Sequence, residues 1–154
     1  MLIGVSMRAS KSRVQGMKGV YFYALFAAIA ALQSILILSG FLPSLLSYSA
    51  GNILFGLVVV ALLVYMGWSF DRLSLKKIAV KGTIAAVISS VIISIATLIG
   101  HEIMRPILGI SLSSTYYLPI YLLAIALLSI MVYIFFTAVG AWLAHNAEHP
   151  KKTR

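Results

Sequence analysis

No charged side chain occurs in the 52 residues from 19 to 70. As one α-helix this stretch would be about 78 Å long, far more than the ~30 Å hydrocarbon core of a bilayer. Pro43 and the serine- and glycine-containing segment after it form a turn signal in the middle of the stretch. The stretch therefore predicts two transmembrane helices joined by an uncharged turn.

The composition of the whole chain fits the same environment. Hydrophobic residues make up 62% of the 154 residues and charged residues 10%, whereas soluble domains are about 45–50% apolar and about 25% charged. A soluble fold of this size has too little interior to bury so much apolar surface. The hydropathy pattern predicts a basic leader, four membrane spans and a basic tail: residues 1–19, then 20–41, 52–69, 79–100 and 117–144, then 145–154.

The distribution of Lys and Arg predicts the orientation. Of the twelve such residues, the leader has four, the loop between the second and third spans has four and the tail has three, so that Arg105 alone lies on the other side. Positive residues favour the cytoplasmic side. We therefore expect an all-α membrane protein of the plasma membrane, an antiparallel four-helix transmembrane bundle with both termini cytoplasmic. The basic clusters flank apolar runs, which indicates contact with the lipid bilayer and no nucleic-acid partner.

Small and hydroxyl-bearing residues recur along one face of the third span. They are Gly82, Ala86, Ser90, Ser94 and Thr97. Such a stripe is typical of close helix packing, here in the centre of the bundle or at a homo-oligomer seam. The alternative is the polar lining of a pore or substrate path.

Gln33 and Ser34 are the polar pair of the first span. A buried amide needs a partner in lipid. We expect Gln33 to bond to another helix, with the third span as the candidate partner, and a role as a substrate ligand is the alternative.

The second turn on the Arg105 side contains His101, Glu102 and Arg105. The spacing of Glu102 and Arg105 favours a local ion pair at a helix end. The functional alternative is a small site at the rim, with His101 as a titrating group or metal ligand. The apolar segment 106–114 lies in the interface or re-enters the membrane, and residues 1–17 form a flexible tail or an interfacial helix; both questions stay open.

Catalytic and metal-binding patterns are weak. Residues 145–149 have the H-x-x-E-H spacing of one metallopeptidase class, but no good third ligand follows and Pro150 favours an ordinary helix end. The chain has no cysteine and only three acidic residues, and no Asp, Glu, Lys, Arg or His falls at the centre of a span. The sequence therefore predicts no enzyme, no cofactor and no metal.

Three functional hypotheses follow, in order of preference. The first is a non-enzymatic packing subunit of a homo-oligomer or of a larger membrane complex. The second is a small oligomeric channel or transporter for a neutral or weakly charged solute. The third is a membrane enzyme that uses His101 and Glu102.

Overall fold

The computed structural model describes residues 3–70, 74–109 and 117–148. These residues form four long α-helices: α1 (Ile3–Leu38), α2 (Ala50–Ser69), α3 (Leu75–Glu102) and α4 (Leu118–Glu148). Each helix contains a segment that is long and apolar enough to cross a membrane, namely Gly19–Leu38, Ala50–Ser69, Leu75–Glu102 and Leu118–Ala147. The predicted all-helical chain with four candidate transmembrane helices is therefore confirmed.

The helix ends differ from the predicted limits of the spans. The first helix ends at Leu38, before the predicted limit at residue 41, because Gly40 takes a positive φ of 84° and turns the chain. Residues 3–18 are helical and continuous with the first span. The third helix is longer than predicted at both ends, and α4 continues beyond residue 144.

The four helices pack in an order that differs from their order in the chain. α4 lies against both α2 and α3, α3 also lies against α1, and α1 touches α2 only slightly. The larger apolar cluster draws on all four helices, with Phe26, Leu63, Met66, Phe70, Ala85, Ala86 and Tyr133. α3 is the most enclosed helix, since 39% of its apolar window is buried compared with 11% for α4.

Aromatic contacts identify the helix ends that meet. The Phe22 ring lies 5.9 Å from the Phe70 ring, and the Lys81 ammonium lies 4.2 Å from the centroid of Phe70. The start of the α1 span, the end of α2 and the start of α3 therefore share one end of the molecule, which we call the basic end after Lys76, Lys77 and Lys81. A long charged side chain stacked on an aromatic ring is common where a helix leaves the membrane core.

The opposite end is closed by two turns that we call the cap, residues 39–49 and 103–109. A second apolar cluster of Ile37, Ala96 and Ile107 lies beneath it. The Leu45 amide donates a hydrogen bond of 2.6 Å to the Ile107 carbonyl, which joins the two turns. Ile107 and Leu108 are buried in the protein, so the part of the 106–114 segment up to residue 109 belongs to the cap and packs against the helices. Residues 110–116 lie outside the described ranges.

Candidate functional site

The stripe on the third span lies inside the protein. Gly82, Ala86, Ser90 and Thr97 are buried, and Ser94 is partly buried. A Cβ on Gly82 would lie 3.2 Å from the Tyr133 carbonyl oxygen, so the missing side chain lets α3 approach α4 closely. The buried members of the stripe therefore lie among the other helices of the same chain.

Most of the hydroxyls near this stripe are bonded inside the protein. Thr97 donates to the Ile93 carbonyl at 2.7 Å and Thr137 to the Tyr133 carbonyl at 2.6 Å, each one helical turn back. The Tyr133 hydroxyl crosses from α4 to α3 and donates to Ser89 Oγ at 3.0 Å. Among the described residues, Ser90 Oγ is the one buried side-chain polar atom without a hydrogen-bond partner.

The closest helix contact was missed by the sequence analysis and lies between α2 and α4. A Cβ on Gly67 would collide with the Thr137 carbonyl oxygen, and a Cβ on Gly140 would collide with the Val64 carbonyl oxygen. The two glycines thus bring two backbones into contact from opposite sides. The glycines of the two apolar spans were the available signal, Gly56 and Gly67 in the second and Gly140 in the fourth, but they do not reveal which helix face is turned to a neighbour.

Gln33 bonds to α2 instead of the third span. Its Nε2 donates to Asn52 Oδ1 across 3.4 Å, a long hydrogen bond, while its neighbour Ser34 is buried. This contact lies near the cap, because Asn52 is in the first turn of α2. The interhelical bond agrees with the expectation, and the predicted partner helix does not.

Asn52 is a second residue that the sequence analysis missed. Its Nδ2 donates to the carbonyls of Ser44 at 2.9 Å and Ser47 at 3.1 Å. Its backbone amide donates to the N-cap residue Ser49 at 3.1 Å. The signal was a serine-rich turn that ends in a helix start, where serine is a preferred N-cap.

The rim residues are held differently from the prediction. His101 and Glu102 are exposed in the last turn of α3. The expected ion pair between Glu102 and Arg105 is not formed, since the Arg105 Nη1 instead donates to the Leu38 carbonyl at 3.1 Å. Within the described ranges, no cluster of three or more His, Cys, Asp or Glu residues could hold a metal.

The structure describes only part of the H-x-x-E-H pattern at residues 145–149. His145 lies in the last turn of α4, where a protonated imidazole would suit the negative end of the helix dipole. Residue 149 lies outside the described residues, so the H-x-x-E-H spacing stays a sequence observation.

Comparison with known proteins finds no match, so the chain is classified by its fold. No family model, no curated protein and no solved structure matches this chain. The four apolar helices define the class as a small, helical, multi-pass membrane protein.

Proposed function

We propose that this chain is a non-enzymatic packing subunit of the plasma membrane, part of a homo-oligomer or of a larger membrane complex, with both termini cytoplasmic. The observation that carries the proposal is the contrast between the inside and the outside of the helices. Inside, threonine and tyrosine hydroxyls bond to groups of the same chain. Outside, α2 and α4 present broad apolar faces.

The outward surface of α2 is the best candidate for the subunit contact. No residue from 50 to 62 is buried. Five of its exposed residues, which we call the α2 face, are Ile53, Leu54, Gly56, Leu57 and Val58. A Cβ on Gly56 would meet no atom within 4 Å. A glycine that serves no contact within its own chain lets a helix of another subunit approach closely, as small residues do at membrane interfaces.

Cysteine crosslinking in native membranes tests the proposal, because the natural chain has no cysteine. Under oxidation, Gly56→Cys or Leu57→Cys should give a disulfide-linked dimer in a homo-oligomer. A photocrosslinking residue at position 57 should capture a different subunit in a mixed complex. Ala86→Cys is the matched control, because Ala86 is fully buried in α3 and should give no crosslink.

The partner proposal fails if no adduct forms from the α2 face or from outward positions on the other helices. Leu32 on α1, Val91 on α3 and Leu127 on α4 are suitable exposed positions for that survey. A protein with the mass of one chain in mild detergent would also count against the partner proposal.

One observation favours the second hypothesis, a small oligomeric channel or transporter for a neutral or weakly charged solute. Ser90 Oγ is buried and without a partner, and an unpaired hydroxyl in the membrane interior has the chemistry to bind a polar solute or water. A polar thiol reagent should modify Ser90→Cys if such a path exists, with Ala86→Cys again as the control. Complete protection of position 90 would count against a path.

A further inference from the structure

Arg105 is fixed within the cap by its backbone and by its guanidinium. The end of α3 forms a Schellman motif, in which the Arg105 amide donates to the Gly100 carbonyl at 2.8 Å and the Met104 amide donates to the His101 carbonyl at 3.3 Å. Met104 takes the left-handed position of that motif with a φ of 55°. The backbone therefore turns sharply at this point and directs the Arg105 side chain to the end of α1.

The Arg105 guanidinium lies between the end of α1 and the end of α3. Its Nη1 donates to the carbonyl of Leu38, the last residue of α1. A Cβ on Gly40 would lie 2.6 Å from that nitrogen, so the guanidinium lies against the backbone of Gly40. Of five N–H donors on an arginine, one is used by this bond, and the described residues provide no second acceptor.

A recess with a volume of about 350 Å³ opens beside this guanidinium. Its polar groups are Arg105 and Ser44, and its apolar walls come from Ile37, Leu42, Met104 and Pro106. We call it the Arg105 recess. One cation with free donors beside apolar walls is suited to a small anionic group that carries an apolar chain.

The surroundings of the recess favour a lipid as the source of that group. Phe41, Tyr48 and Met104 project from the cap with exposed fractions of 82%, 99% and 92%. Large apolar and aromatic side chains at the end of a membrane helix lie at the level of the lipid headgroups. Glu102 is the one acidic residue near this end of α3, and it does not pair with Arg105.

We infer that the Arg105 recess binds the phosphate of a lipid headgroup, with Arg105 as the residue that contacts the phosphate oxygens. The lipid chain would continue from the recess along the apolar helices. Arg105 is the one Lys or Arg on its side of the predicted topology. Binding of a lipid phosphate would give this single positive charge a function.

Native mass spectrometry of the full chain in nanodiscs tests the inference, with phosphatidylglycerol as the anionic probe and phosphatidylcholine as the zwitterionic one. We expect Arg105→Gln to retain about fivefold less phosphatidylglycerol than the natural chain. Arg105→Lys should retain an intermediate amount, because it keeps the charge and loses the planar fork. Lys76→Gln is the matched control, since it removes one exposed positive charge from the basic end, and it should lose less phosphatidylglycerol than Arg105→Gln because no recess lies beside it. Equal losses for the two variants would show a general effect of charge and would overturn the site.

Thermal unfolding distinguishes lipid binding from a purely structural role, in which Arg105 only provides a donor for the Leu38 carbonyl at the end of α1. A binding site predicts that phosphatidylglycerol raises the Tm of the natural chain and that Arg105→Gln loses this increment. A structural role alone predicts that Arg105→Gln lowers the Tm equally in both lipids and keeps the increment, which would overturn the inference. Inorganic phosphate could also raise the Tm of the natural chain in phosphatidylcholine nanodiscs. An increase equal to that given by phosphatidylglycerol would overturn the choice of a lipid and indicate a free anion.

Discussion

At the scale of single residues, Asn52 shows how a polar group is used in an otherwise apolar chain. Its amide nitrogen bonds to two carbonyls of the turn before α2, and its amide oxygen accepts from Gln33 of α1. It thus fastens the cap turn to the start of α2 and connects both to the first helix. Gln33 makes one bond, and that bond is long.

Asn52→Ala should therefore reduce the stability of the protein more than Gln33→Ala. Removing Asn52 leaves the Ser44 and Ser47 carbonyls without their donor, with an expected loss of about 2 kcal/mol in the free energy of unfolding. Removing Gln33 should cost about 0.6 kcal/mol, as is usual for an interhelical hydrogen bond in a membrane protein. Unfolding by denaturing detergent in mixed micelles measures both values. Equal losses for the two variants would show that Asn52 does not anchor the turn.

At the scale of the helices, the contact between α2 and α4 depends on two glycines. Gly67 lies against the backbone at Thr137, and Gly140 lies against the backbone at Val64. Because each contact is with backbone and not with a flexible side chain, a methyl group at either position has to push the two helices apart. Gly82 of α3 also lies against the backbone of α4. Both α2 and α3 therefore pack closely against α4.

Gly67→Ala and Gly140→Ala should each destabilise the fold by about 1–3 kcal/mol, the usual range for overpacking of a tight interior. Gly56→Ala is the control in the same helix as Gly67, since a Cβ there meets no atom of its own chain within 4 Å, and its effect on the unfolding of the monomer should stay within about 0.5 kcal/mol. Thermal unfolding of the purified variants in one detergent provides the comparison. If Gly67→Ala were as mild as Gly56→Ala, the close backbone contact would be refuted.

At the scale of the whole molecule, the basic end and the cap differ in charge. Lys76 and Lys77 lie at the start of α3 beside Lys81, whereas the cap contributes Arg105 alone. The positive-inside rule then predicts that the basic end faces the cytoplasm and the cap faces the other side. The orientation stays a prediction, because four apolar helices can insert in either sense.

Labelling of single cysteines in intact cells tests this orientation. Tyr48 is exposed in the cap and Lys76 is exposed at the basic end, and no natural cysteine interferes. A maleimide that cannot cross membranes should label Tyr48→Cys in intact cells, but label Lys76→Cys only after permeabilisation. Reversed labelling would contradict cytoplasmic termini, and labelling of both positions from the same side would contradict the alternation of the spans.

The sequence by itself determined that the chain is all-helical and has four helices long and apolar enough to cross a membrane. These properties follow from hydropathy, which is summed along the chain and needs no knowledge of neighbours. The spacing from Gly82 to Thr97 identified a stripe on one helix face, and four of its five residues are buried. The tertiary structure alone decided that Gln33 meets Asn52, that Arg105 binds Leu38 instead of Glu102, and that Gly67 and Gly140 face each other's helices. Such contacts depend on the rotation and register of one helix against another, and a uniformly apolar helix has almost no periodicity from which to predict them.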